Sequence, residues 1–486
     1  MKMSPLLRRH TLATAALIAL SPPAFAVNYV FSGGTFVSGV TTPQPLAAGD
    51  VLNINAGGFK FFGAGSDFTN GGGTVNWNGD TLYLQSGVAI INNALWNATS
   101  DDSLIYNGGA APSFTNNGTF RKSAGAGSTT INNSVGFVNN GTLDAQTGSI
   151  AFVGGSTFNA GSVFTGAGVV NAVSGTNVFN GAFTSSNLRL SGGTHQGNGA
   201  VVGGTVAFLG GTLSGSWGIG AGQTLNAVGG GFKFIDGATT VLTNQGTLAW
   251  NTTDLLYLQG GATLRNQALF VANQNTSVVY NGGAATSFDN TASGTVRAAA
   301  GKTLTIGSGT GFVNNGGTLD AQAGGVIVYN GATVFNAGTQ FTGAGSNIAA
   351  GNNTFNGSFN SANLTLQSGI HTGNAAVVNG SSTAFTGGTL SGGWTVAAGQ
   401  TLQAQGGGNK FIDGAATVLT NLGTVDWNTT DLLYLQSGST LRNQALFVAN
   451  QNTSVVYNGG AATSFDNTAS GTVRAAAGKT DRKSVV

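Results

Sequence analysis

The amino-acid sequence predicts an all-β fold, a right-handed parallel β-helix (β-solenoid) with coils of about 22–24 residues. Three observations carry this expectation. First, the stretch RNQALFVANQNTSVVYNGGAATSFDNTASGTVRAAAGKT occurs at Arg265 to Thr303 and again, letter for letter, at Arg442 to Thr480. Copying a block builds an array, because each unit offers the next the same surface to stack on. Second, a shorter beat runs inside the copies: Asn244, Asn266, Asn290, Asn314 and Asn336 follow one another at steps of 22, 24, 24 and 22. Each beat reads as an apolar residue, an Asn, a small or Gly turn, then alternating apolar and polar residues such as TLAW or TLDA. Alternation is the strand signature, and Asn with Gly supplies left-handed turn conformations. Third, the 486 residues include 82 Gly, 29 Phe and only 7% charged residues, and the 15 acidic residues are all Asp. Without Glu the charged residues favour turns over helices. With 41% hydrophobic residues the chain can bury an interior, unlike a disordered chain of low complexity.

In chain order, residues 1–26 read as a signal peptide. A basic start containing Lys2, Arg8 and Arg9 precedes the apolar run LATAALIAL and the small-x-small site Ala24-Phe25-Ala26. That run is about half of the roughly 20 residues needed to span a bilayer, so export by the general secretory pathway is expected, to a secreted or cell-surface location. Residues 27–228 form a first large repeat with an N-terminal cap, 229–405 a second, and 406–480 a partial third. Landmarks recur at about this period of 175: Trp77, Trp250 and Trp427, the LYLQ motif at Leu82, Leu256 and Leu433, and His195 with His371. Residues 481–486, DRKSVV, replace the LTIGSG that follows the first copy of the block, and they translate a common sequencing-adapter string. They are expected to be a non-native tail on a truncated fragment. No Cys is present, so cohesion must come from backbone ladders and a continuous apolar interior. Between the presequence and the tail stand 12 basic and 14 acidic residues, a balance that gives nucleic acid nothing to bind. A row of separate β-sandwiches would also space strands regularly, but it predicts Pro-bearing linkers, and none occur.

The motifs FVNNGGTLDAQ, VFNAGTQFTGAG and GGTLSGGWTVAAGQTL resemble the passenger regions of bacterial autotransporters and filamentous-haemagglutinin-like adhesins. The resemblance extends over nearly all of the chain after residue 26. It implies a β-helical surface protein or extracellular-matrix component of the kind found in biofilms. Its role would be that of an adhesin-type stalk, mediating multivalent attachment or self-association. The partners so implied are glycans, host or neighbouring cell surfaces, and other copies of the chain, with no transmembrane segment in the sequence and no cofactor. The NPNG-like secretion motif of two-partner-secreted adhesins does not occur. The alternative is a carbohydrate-binding or polysaccharide-degrading β-helix protein.

An enzyme of that kind needs clustered carboxylates. Asp101-Asp102 is the one adjacent acidic pair, and it is expected to be a solvated turn, so no catalytic residues are assigned. The recurring charges instead keep coil-sized spacings. Lys60 to Asp80 is a step of 20, Lys233 to Asp254 and Lys410 to Asp431 are steps of 21, and Arg121 to Asp144 and Arg297 to Asp320 are steps of 23. These are expected to be exposed charge pairs between adjacent coils, setting register. His195 and His371, beside Gly turns and without other ligands nearby, are expected to be turn residues with no metal. The recurring Trp residues are expected in the core or at caps, with stacking on sugars as the alternative.

Overall fold

The computed structural model describes residues 25–479 and the backbone of 481–483. The presequence before Phe25 and the side chains of the tail lie outside the described residues. Among those described the chain forms 55 strands and no helix. All strand pairs are parallel, and the architecture is a β-solenoid of about 20 coils. A regular coil has three strands, so most strands pair with the third one along. Asn28–Phe31 lies on Val51–Ile54, which lies on Thr74–Trp77, which lies on Leu95–Ala98. The strands thus stack in three columns that run the length of the molecule.

Coil length varies more than the sequence suggests. The regular beat belongs to the strands that carry the Asn positions. Elsewhere Asn347 sits opposite Leu364, a coil that advances the chain by only 17. At the other extreme Thr276 sits opposite Leu304, and that coil advances it by 28. The difference lies in the corners. Short coils run through their corners as continuous strand, as in Thr176–Leu190 and Thr194–Phe208. Long coils carry loops such as NGGAAT.

Alternation sends every second side chain inward. In Val51–Ile54 and Thr74–Trp77 the pairs Leu52/Ile54 and Val75/Trp77 are fully buried. The inward residues form one continuous interior. Rings of Trp96, Phe114, Phe137, Phe152, Phe158, Phe179 and Trp217 follow one another along the axis at 5.0, 5.4, 5.0, 5.2, 4.8 and 5.2 Å between centroids. Burying each such ring contributes about 2–3 kcal/mol.

The interior also holds polar ladders. Asn70, Asn92, Asn116 and Asn139 are fully buried, and each Nδ2 donates to the next Oδ1 at 2.8, 2.7 and 2.7 Å. Ser162 ends the series by accepting from Asn139 Nδ2 at 3.0 Å. The same ladder recurs as Asn244, Asn266, Asn290 and Asn314, closed by Thr339, and as Asn421, Asn443 and Asn467. The first four positions of the beat seen in the sequence are therefore a buried amide ladder, satisfied by its own repetition, whereas Asn336 belongs to a corner ladder with Asn315 and Asn356.

The large repeat does not close on a whole number of coils. From Trp77 the strand pairings lead through Ala98, Lys122 and Ala145, then the strand of Phe164, Ser185 and the strand of Val202, to Ile219 and then Asn244, eight coils on. The equivalent Trp250 stands on the next strand, Thr247–Trp250, in the neighbouring column. From Trp250 a further eight coils lead to Asn421, and Trp427 again stands one strand later. Each large repeat therefore spans eight coils plus one strand. Every feature it carries moves to the next column, one-third of a turn around the axis and about 40 Å along it.

Candidate functional site

The recurring feature with the most side-chain chemistry lies where a Gly-rich corner enters a strand, at GGFK (57–60), GGFK (230–233) and GGNK (407–410). Strand geometry turns the Lys inward, and all three lysines are fully buried. Lys60 Nζ donates to the Gly58 carbonyl at 2.9 Å and lies 2.8 Å from Asp80 Oδ2. Lys233 donates to the carbonyls of Gly229 and Gly231 at 3.4 and 2.9 Å and to Asp254 at 2.9 Å; Lys410 donates to Gly408 at 2.8 Å and to Asp431 at 3.1 Å. The ammonium thus ties its own corner to the corner of the following coil.

This differs from exposed pairs stacked in register. Lys60 stands opposite Leu82, Lys233 opposite Leu256 and Lys410 opposite Leu433, while each Asp lies in the turn before that Leu. The cause is the inward position, which leaves the corner carbonyls and one carboxylate as the groups within reach. Three donors, the Gly57 and Gly58 amides and Lys60, converge on Asp80 Oδ2. They hold its carboxyl down to about 2, with the Lys60 hydrogen bond the largest cause. Burial lowers the Lys410 ammonium, against the pull of Asp431.

The arginine pairs do stack in register. Arg121 faces Asp144 and Arg297 faces Asp320 on adjacent strands, each with Nε 2.7 Å from Oδ2. Arg265 with Asp289 and Arg442 with Asp466, at 3.3 and 3.2 Å, follow the same pattern. Their spacing, 24 in both cases, could have revealed them. Lys122, fully buried, pairs with Asp101 and with the carbonyls of Ser100 and Ala124. Half of the sequence's Asp101-Asp102 turn is therefore a corner clasp. An acid that precedes its base escapes a spacing read forward from base to acid.

His195 and His371 are not turn residues: both are fully buried, and no ring nitrogen makes a well-formed hydrogen bond among the described residues, although the Gly210 backbone lies near enough to His195 to favour its charged form. Each faces an interior Asn, Asn177 or Asn353, whose Oδ1 is likewise without a partner. Burial pushes both imidazoles down to about 4. Trp77, Trp217, Trp250, Trp394 and Trp427 are all buried, which removes them as platforms for sugar rings.

The exposed aromatic residues lie beside the clasps instead. Phe59, just before Lys60, is 68% exposed, and its counterpart Phe232 is 69% exposed. Phe61 and Tyr83 face each other outward on adjacent coils, 5.3 Å between ring centroids, with Phe59 6.2 and 6.0 Å from them. Phe232, Phe234 and Tyr257 repeat the group on the next column, and Phe411 with Tyr434 on the third, where Asn409 replaces the outermost ring. A cavity of about 330 Å³ opens between Gly58, Phe59, Asp80, Thr81 and Tyr83.

The chain matches no protein-family model, no curated protein and no solved structure. Among the described residues no helix is long and apolar enough to cross a membrane.

Proposed function

We propose that the chain is an exported bacterial surface or extracellular-matrix protein, acting as an adhesin-type stalk. One observation carries the reading: a single apolar interior runs unbroken along about 20 coils, and the same outward group recurs at intervals on that rod. A stiff rod with repeated weak contacts gains affinity by avidity, without any one strong site. The signal-peptide pattern at residues 1–26 supports export, and the exposed aromatic residues beside the clasps support a role in binding.

Labelling intact producing cells with an antibody against the solenoid tests this, with the spent medium assayed in parallel. Labelled cell surfaces, or protein in the medium, are expected. Protein found only after lysis overturns export and the stalk role together.

A further inference from the structure

We propose that each large repeat carries one binding site for the ring of a neutral sugar, and that successive sites face directions one-third of a turn apart. The inference rests on the stalk reading and names what the stalk holds. The first site is the cavity at Gly58, Phe59, Asp80, Thr81 and Tyr83. Its size is that of a small-ligand site, and its lining joins apolar rings to a few fixed polar groups. Phe59 and Tyr83 offer carbon surface to the C–H face of a pyranose. Thr81 offers a hydroxyl. Asp80 offers a carboxylate whose Oδ2 takes all three donors named above, so that the other oxygen takes none of them. That oxygen is an acceptor held in place, and it calls for a ligand that brings hydroxyl donors.

The charge balance selects among ligands. A carboxylate among aromatic rings also suits an alkylammonium. Here the buried Lys60 ammonium, 2.8 Å from Asp80, already neutralises it. The pair has no net charge with which to attract a cation or an anion, and a neutral polyol remains. The counterparts Phe232, Asp254 and Tyr257 keep the rings and the paired carboxylate but have Leu255 in place of Thr81, and at Asp431 and Tyr434 Leu432 stands for Thr81 and the outer ring is Asn409. The third site should therefore be the weakest.

Placement decides how the sites work together. Lys60, Lys233 and Lys410 head strands in three different columns. One stiff glycan chain lying along the rod meets one site and then leaves the face before the next, about 40 Å on. The sites bind independently, and one rod joins separate glycan chains.

Affinity electrophoresis of the full chain through gels containing hydroxyethyl cellulose, xyloglucan or galactomannan tests this, with polygalacturonate as the charged probe. Retardation by at least one neutral polymer is expected. F59A/Y83A and F232A/Y257A should each remove about a third or more of it, and the two together nearly all. The wild type should also precipitate the soluble polymer, and F59A/Y83A, left with one strong site, should bind it with little or no precipitation. These rings are outward-facing, so a circular-dichroism spectrum unchanged from wild type separates lost binding from lost fold. No retardation by any neutral polymer, retardation by polygalacturonate alone, or full retardation of the combined variant overturns the proposal. Surface labelling of cells is unaffected by any of these results, so the stalk reading stands or falls separately.

Discussion

At the scale of single residues, burial decides which polar groups matter. Lys233 is fully enclosed and satisfies two corner carbonyls as well as Asp254. Lys233→Met strands the Gly231 carbonyl and the Asp254 carboxylate, while Gly229 keeps the Thr252 hydroxyl, and should cost about 2–4 kcal/mol, read as a lowered midpoint in urea. Arg297→Met removes a partly exposed pair and should cost under about 1 kcal/mol. The two values coming out equal would show that the corner clasp is only another surface pair. Asn116 and Asn117 make the same comparison within one strand end. Asn116 is buried, with donors and acceptors used on both sides, while Asn117 donates to Asn93 at 2.7 Å from an exposed corner. Asn116→Ala should cost about 2–3 kcal/mol and Asn117→Ala under about 0.5.

The buried histidines set an acid limit. Their folded value is about 4, against 6.5 for a free imidazole. The unfolded chain therefore binds more protons between those values, and stability falls as pH drops from 6.5 toward 4. Each ring removes up to about 3 kcal/mol below that window. The Asp80 carboxyl, held near 2, acts lower, its contribution being lost only as pH falls from 3.8. Melting curves at pH 7 and pH 4.5 should differ much less in a H195L/H371L double variant than in the wild type. An equal drop in both proteins would mean that the imidazoles do not carry the loss.

At the scale of the coil, the repeating features were legible and the corners were not. The regular Asn steps announce stacking because a buried amide ladder tolerates no change of register. The shortest coils left a fainter mark, since their corners keep Asn180-Gly181 and Asn198-Gly199 but run on as strand. Gly197 shows why those coils need particular residues. A Cβ there would lie 2.4 Å from the Ser216 carbonyl oxygen and 2.7 Å from the Trp217 ring, so the bulky indole fits over a bare backbone. Gly197→Ala should lower the melting temperature by several degrees, about what 1–3 kcal/mol does to a domain, whereas Gly199→Ala meets no neighbouring atom and pays only for its left-handed φ of 66°. The Lys–Asp spacings in the sequence pointed to the right residues but not to their burial. An inward Lys is written with the same letter as an outward one, and only the strand phase of GGFK distinguishes them. The aromatic group went unnoticed for a related reason. Phe59, Phe61 and Tyr83 are separated by a corner and a coil, and the 29 Phe of the chain gave no cue as to which few face outward.

At the scale of the whole molecule, the fold is a rod whose decoration turns as it rises. Eight coils and one strand per large repeat put each copy of a motif on a new face, so that near-identical sequence does not produce one long stripe. The central claim is that all of these coils share one dry interior, and small-angle X-ray scattering of monodisperse protein tests it most directly. Stacked coils predict a rod about 95 Å long, with a radius of gyration near or above about 27 Å from length alone. Scattering that fits a compact globule, at about 23 Å for a chain of this size, or a row of separated beads, would contradict it.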